Sequence, residues 1–242
     1  MEKLFEIKSD AEAIFKKRPN KYIALVDIVA PFFEEDVLVH IHDPGRLAEI
    51  LFSGNRLLLK NEDKPHRKTR WDVIAGKVNE HFVLIHSKYH RKIAEAIFKT
   101  KILPINERFN KIKAEVRYKN HRIDFVAYDN KGNECWIEVK GCTLGKDGVA
   151  LFPDAPTIRG ANHLKTLLKL KEIGNDAMLL ILVFAPDVEC FMPNFETDKN
   201  FAELFKEVLK KGIPVYPLSL IYKNNYVWFM QKLKLCDNLV KV

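Results

Sequence analysis

The chain has 242 residues, 47% of them hydrophobic, enough to build a core and to place it among globular proteins. Its 40 Lys and Arg against 32 Asp and Glu leave a formal net charge of +8, which favours a polyanionic partner. No early apolar segment follows a basic start and no run approaches eighteen apolar residues, which argues against a signal peptide and a membrane span. The scattered Cys135, Cys142, Cys190 and Cys236 form no Cys-x-x-Cys pair, so neither a zinc ribbon nor a disulfide framework is indicated, and free thiols in a soluble, cytoplasmic protein are expected.

Residues 21–84 read as all-β, with short runs rich in Val, Ile and Leu at 21–28, 36–42, 55–60, 71–75 and 81–85 separated by turn residues. Closely spaced short strands predict a small barrel. The texture changes near residue 87, where Tyr89, Ile93, Ala96 and Ile97 recur at helical spacing ahead of Pro104. Two domains are therefore expected, 1–85 and 86–242. Three strands follow at 111–119, 121–128 and 134–141, and the last two are joined by Asp129-Asn130-Lys131-Gly132-Asn133, which reads as a hairpin turn. A long loop over 143–156 leads to a helix over 157–173 ending at Gly174. The nearly continuous apolar run at 177–185 predicts a strand buried on both faces. A helix over 199–211 and a strand over 213–220 complete a second crossover, so this half is α/β with a mixed sheet.

The chemistry concentrates on the hairpin. If its loop is symmetric, Asp124 lies opposite Glu138, and period-2 alternation puts Trp136, Glu138 and Lys140 on one face while Ile137 and Val139 share the other with Ile123 and Phe125. Two carboxylates can hold Mg²⁺ or Mn²⁺ against a phosphodiester, and a lysine on the same face can orient water or stabilise the pentacovalent phosphate. A third carboxylate comes from Glu95 on the preceding helix or from Glu115, which a two-residue turn at Lys119-Asn120 would set beside Asp124; the residues leave both open. The competing reading is an exposed cross-strand salt bridge, against which stands the mid-strand placement among Trp136, Ile137 and Val139.

Lys64, Arg67, Lys68, Arg70 and Trp71 put four cations and an aromatic ring into one turn of the barrel, a composition suited to phosphate contacts with stacking on a base; a solvated turn is the alternative. Arg159 and His163, four apart on one helix face, could reach phosphates at the edge of the site. His40 and His42, one strand period apart, permit a metal pair but read as structural residues without a third ligand in view, and His86 and His90 are a similarly weak pair.

Several motifs then resemble a known family. Phe15-Lys16-Lys17-Arg18-Pro19-Asn20-Lys21-Tyr22, His42-Asp43-Pro44-Gly45-Arg46-Leu47, the 64–71 loop, Arg122-Ile123-Asp124-Phe125, Glu138-Val139-Lys140, Asp147-Gly148-Val149-Ala150-Leu151-Phe152-Pro153-Asp154-Ala155 and Arg159-Gly160 to His163-Leu164 resemble, nearly end to end, the sugar fermentation stimulation protein A family. The resemblance implies an N-terminal OB-like small β-barrel, a C-terminal PD-(D/E)XK nuclease-like α/β domain with mixed sheet, DNA binding (RNA being the other candidate), and for some members a regulatory role toward sugar catabolism genes. It lays the nuclease motif on Asp124, Glu138 and Lys140, with Glu95 at the acidic helix position. Ile158 and Asn162 stand where many members carry Glu and Lys, and His42-Asp43-Pro44-Gly45 replaces a common Pro-Asn-Thr-Gly. Two functions follow as expectations: a Mg²⁺-dependent nuclease, or a non-catalytic DNA-binding regulator for which the nuclease fold is only a platform.

Overall fold

The strands Ala11–Asn20 (β2), Ile23–Ala30 (β3), Glu34–His40 (β4), Arg56–Asn61 (β5) and Trp71–Val78 (β6) follow Glu2–Glu6 (β1) and precede His81–Leu84 (β7) in a computed structural model that describes residues 1–62 and 64–240. Pairing runs β4-β3-β2-β5-β6, and a parallel contact from β4 back to β6, Val39↔Trp71 and His40↔Asp72, closes the five strands into a barrel. Closure leaves no free edge, and alternate residues such as Ala13, Phe15, Val26, Ile28 and Leu57 fill the interior. This is an OB barrel, as expected. β2 supplies a wall the sequence reading did not assign, because its apolar half alternates through small alanines and its remainder is Lys16 to Asn20.

The second half contains Tyr89–Phe98 (α1), Ile105–Arg108 (α2), Lys111–Tyr118 (β8), His121–Tyr128 (β9), Glu134–Cys142 (β10), Leu144–Lys146 (β11), Val149–Phe152 (β12), Ile158–Glu172 (α3), Asp176–Val183 (β13), Cys190–Pro193 (β14), Lys199–Lys210 (α4), Val215–Lys223 (β15), Tyr226–Lys232 (β16), Lys234–Leu235 (β17) and Asp237–Val240 (α5). Its main sheet is ordered β8-β9-β10-β13-β15-β16-β1. β10, β13 and β15 are parallel and joined through α3 and α4, while the flanking pairs are antiparallel. One face carries Phe125, Ile137, Val139, Leu180 and Leu182 against α1 in the core shared with the barrel; the other carries Val126, Trp136, Leu179 and Ile181 against α3 and α4. β13 is buried on both faces, as its apolar run requires.

Three expectations need correction. Residues 2–6, counted with the barrel, pair instead with β16, and Leu4 and Phe5 pack on the core of the sheet. The 143–156 segment is not a plain loop: β11 and β12 within it join β14 and β17 in a small second sheet. That sheet also overturns the expected free thiols, because β14 and β17 run side by side and bring Cys190 and Cys236 into a disulfide across 46 residues. Cys135 and Cys142 remain free and buried.

The halves are fastened by the residues of the family-like motifs. Arg18 donates to the carbonyls of Lys21, Asp43, Gly45 and Arg46, and Asp154, from the second half, accepts from the Leu47 amide at 3.1 Å. A Cβ on Gly45 would lie 2.5 Å from Asp154 Oδ2, so any larger residue there would push the Asp154 carboxylate from its place. Among the described residues no helix is long and apolar enough to cross a membrane.

Candidate active site

Asp129 fixes the hairpin. Its carboxylate accepts from the amides of Lys131 and Asn133, both at 2.8 Å, and the turn sets β9 against β10 in the register Glu134↔Tyr128 through Ile137↔Phe125. One step further lies Asp124 with Glu138, and there the ladder stops: the Asp124 side chain itself accepts from the Val139 amide at 2.8 Å. β8 is irregular at the same place. Its pairing with β9 runs through Ala114↔Phe125 and resumes at Val116↔Ile123, and Glu115 between them has φ 55°. Such irregularities re-aim side chains. Consequently Ile123 packs on the α3 side with Trp136 rather than, as alternation predicted, beside Phe125 on the α1 side.

Glu138 is 1% exposed in the middle of the sheet. One of its oxygens, Oε1, bonds both Lys140 Nζ and His163 Nδ1, which are 3.1 Å from each other, and its other oxygen is buried with no hydrogen-bond partner among the described residues. Burial pushes this carboxyl up, but Lys140 and His163 outweigh it and hold Glu138 below the usual range. Asp124 responds the other way: burial, with the nearby Glu138 charge, pushes it up to about 6. An ionised carboxylate with an orphan oxygen, beside a second carboxyl that resists ionisation, is a pair short of positive charge. The donors are all oxygen, which fits Mg²⁺ or Mn²⁺.

Asp124 opens onto a cleft of about 800 Å³ running between the two halves, which Glu95, Glu115, Arg122 and Arg159 also line. Both candidate third carboxylates are thus present, and Arg91 spans them: Nε lies 2.9 Å from Glu95 Oε1 and Nη1 3.7 Å from Glu115 Oε1, while Arg122 sits 3.2 Å from Glu115 Oε2. Arg159, on the exposed first turn of α3, faces the cleft. His163 does not reach the rim as expected. It is 4% exposed, because one turn further along α3 the same helix face lies under the sheet, and its ring bonds Glu138 instead, with Lys140 Nζ 3.1 Å from the same nitrogen. Nothing in an i, i+4 spacing distinguishes those two depths.

The basic turn at the other end of the cleft is also changed. Trp71 is 2% exposed and belongs to the barrel core, so it is not a stacking surface; β6 begins at this residue and turns the ring inward. Arg67 is committed to the buried Asp72, bonding both carboxylate oxygens, and Lys64 lies 2.7 Å from Glu62. Lys68 and Arg70 remain exposed without an ion pair among the described residues. The exposed aromatic side chains of the first half include Tyr22, Phe32, Phe33 and Phe52, none of which the sequence marks as a stacking surface.

Comparison with known proteins gives consistent matches. A family model described as the sugar fermentation stimulation protein RE domain matches residues 88–226, and the SfsA N-terminal OB domain matches residues 17–85. The sugar fermentation stimulation protein homolog of Thermosipho melanesiensis is 42% identical over 236 residues, covering 97% of this chain and 98% of that one. The homolog of Methanococcoides burtonii is 40% identical, covering 96% and 95% respectively. Among solved structures, Pyrococcus furiosus SfsA in complex with Ca²⁺ superposes with a TM-score of 0.87 at 28% identity, over 98% of this chain and all of that one.

Proposed function

The chain belongs to the sugar fermentation stimulation protein family, and from that premise together with the Asp124, Glu138 and Lys140 constellation we propose that it is a DNA-binding nuclease that hydrolyses phosphodiester bonds with Mg²⁺ or Mn²⁺. The observation that carries the reading is the Glu138 carboxylate, buried and held ionised by Lys140 and His163, with a free oxygen beside an Asp124 pushed up to about 6. A surface salt bridge would bury neither group. Asp124 and Glu138 would hold the ion, and Glu95 or Glu115 is a third carboxylate on the same cleft. The bound ion would supply Lewis acidity and neutralise charge on the phosphate. A relative whose structure carries Ca²⁺, another cation that takes oxygen ligands, supports this donor chemistry.

The side chains divide the remaining work. Lys140 is 12% exposed and anchored through Glu138, placed to offer its charge where negative charge develops on the phosphate. Being anchored on the buried Glu138, it needs no reorientation at the moment of reaction. Arg122 and Arg159 at the cleft wall neutralise flanking phosphates and set the register of the strand without reading its sequence.

The test pairs binding with cleavage. The wild type should cut DNA only with Mg²⁺ or Mn²⁺; Asp124→Ala should bind but not cut, and Lys140→Ala should bind but cut far more slowly. A wild type that cleaves no single- or double-stranded DNA or RNA would overturn the proposal; cleavage of RNA alone would reassign its substrate.

A further inference from the structure

Away from the trio, three side chains from separate segments converge at the junction of the two halves. His42 follows β4, Asp72 is the second residue of β6, and His86 follows β7. The parallel pairing of His40 with Asp72 places His42 two residues past that contact, over the Asp72 side chain. His42 Nε2 lies 2.8 Å and His86 Nε2 3.5 Å from the same Asp72 oxygen, Oδ2, and the three donor atoms all fall within 4.8 Å of one another. Their side chains are 8%, 2% and 5% exposed in chain order. The imidazole rings are 4.0 Å apart, centroid to centroid.

We propose that His42, Asp72 and His86 form a second cation site, one for a borderline divalent transition ion of the Zn²⁺ class. Its donor set of two imidazoles and one carboxylate differs in kind from the oxygen-only Asp124 and Glu138 pair, so the two ends of the cleft select different ions. Arg67 supplies the outer shell. Its guanidinium bonds Asp72 Oδ1 and also reaches Oδ2 at 3.3 Å, so it ties up Oδ1 and supports from behind the oxygen that both histidines face, the one that would take the ion. If the group served only to neutralise Asp72, Arg67 would suffice, and no second imidazole need share the same oxygen. Asp72 and His86 also line the cleft that Asp124 faces. A tetrahedral ion with three protein ligands therefore keeps its fourth position toward the cleft, for water or an anionic oxygen. Because His86 falls between the barrel match ending at residue 85 and the second match beginning at 88, the ion would also tie barrel strand β6 to the linking segment.

The chelator-treated full-length protein titrated with Co²⁺ tests this. The wild type should take up one equivalent with the intense visible bands of a four-coordinate ion, and Zn²⁺ should displace it. The bands should persist in Asp124→Ala and vanish in His42→Gln and His86→Gln, while Arg67→Ala should weaken binding about 10- to 100-fold. No uptake by the wild type, bands that survive both histidine substitutions, or bands lost in Asp124→Ala would each overturn the site. Should the histidine variants fail to fold, Zn²⁺ X-ray absorption on the wild type decides alone: two imidazole ligands support the proposal, and one or none rejects it.

Discussion

The cleft has two ends built on opposite principles. At one end Asp124, Glu138 and Lys140 stand on paired strands, so their positions follow from register and their charges are buried where each perturbs the next. At the other, four cations lie close together in one turn, but Arg67 serves Asp72, Lys64 serves Glu62, and Trp71 serves the core. On the ladder, register leaves Asp124 and one Glu138 oxygen without a cationic side-chain partner among the described residues, while the turn lets its side chains satisfy local partners first. A count of cations in a loop therefore overstates its grip on a polyanion, whereas a count of carboxylates on neighbouring strands does not.

Truncation should separate the two ends most sharply at Trp71. Trp71→Ala removes a fully buried ring from the barrel and should lower unfolding free energy by about 3–5 kcal/mol, read as a shift in urea midpoint. A base-stacking role predicts instead a loss of DNA affinity at unchanged stability. At the strand end, Lys140→Ala should slow cleavage about 10²–10³-fold with DNA affinity unchanged, measured under single turnover. Equal losses of affinity and rate would mean that Lys140 is a binding residue like those of the loop.

How much was legible from sequence follows the same division. The 129–133 turn is closed by its own Asp129, so the register that brings Asp124 toward Glu138 is a local property and could be calculated from the loop alone. The interruption at Asp124 could not be, since it depends on Glu115 adopting φ 55° on a third strand. Likewise β11, β12, β14 and β17 are two to four residues long, too short for a periodic signal, and the Cys190 to Cys236 bond depends on their pairing. His42 and His86 looked isolated because their shared partner, Asp72, is distant from both in sequence and the cluster forms only when the barrel closes.

Buried charge at the strand end also has a cost that can be measured. Asp124 ionises at 3.8 in an ordinary environment but at about 6 here, so charging it is easier in the unfolded chain than in the folded one. Its contribution is neutral below about 3.8, becomes destabilising as pH climbs through that window, and levels off above 6 at about 3 kcal/mol. Asp124→Asn, whose amide oxygen can still accept from Val139, should therefore gain up to about 3 kcal/mol at pH 8 and nothing at pH 3. Mg²⁺ should shrink the gap at pH 8 by stabilising the wild type alone. A gain of equal size at both pH values would mean that packing, not charge, sets the effect.

The smallest effects lie at the loop end, and they bear most directly on what a free charge is. Among the described residues, Lys68 and Arg70 are the exposed cations of the turn without an ion pair, so Lys68→Ala with Arg70→Ala should flatten the salt dependence of DNA binding by about 0.9 in log–log slope for each phosphate that the turn no longer neutralises. Lys64→Ala should change the slope less, because its ammonium already sits 2.7 Å from Glu62 and DNA would have to displace that carboxylate. The reverse order, with Lys64 dominant, would show that the turn rearranges on binding and exchanges internal partners for phosphates. In that event the two ends would differ not in how much charge they offer but in when they release it.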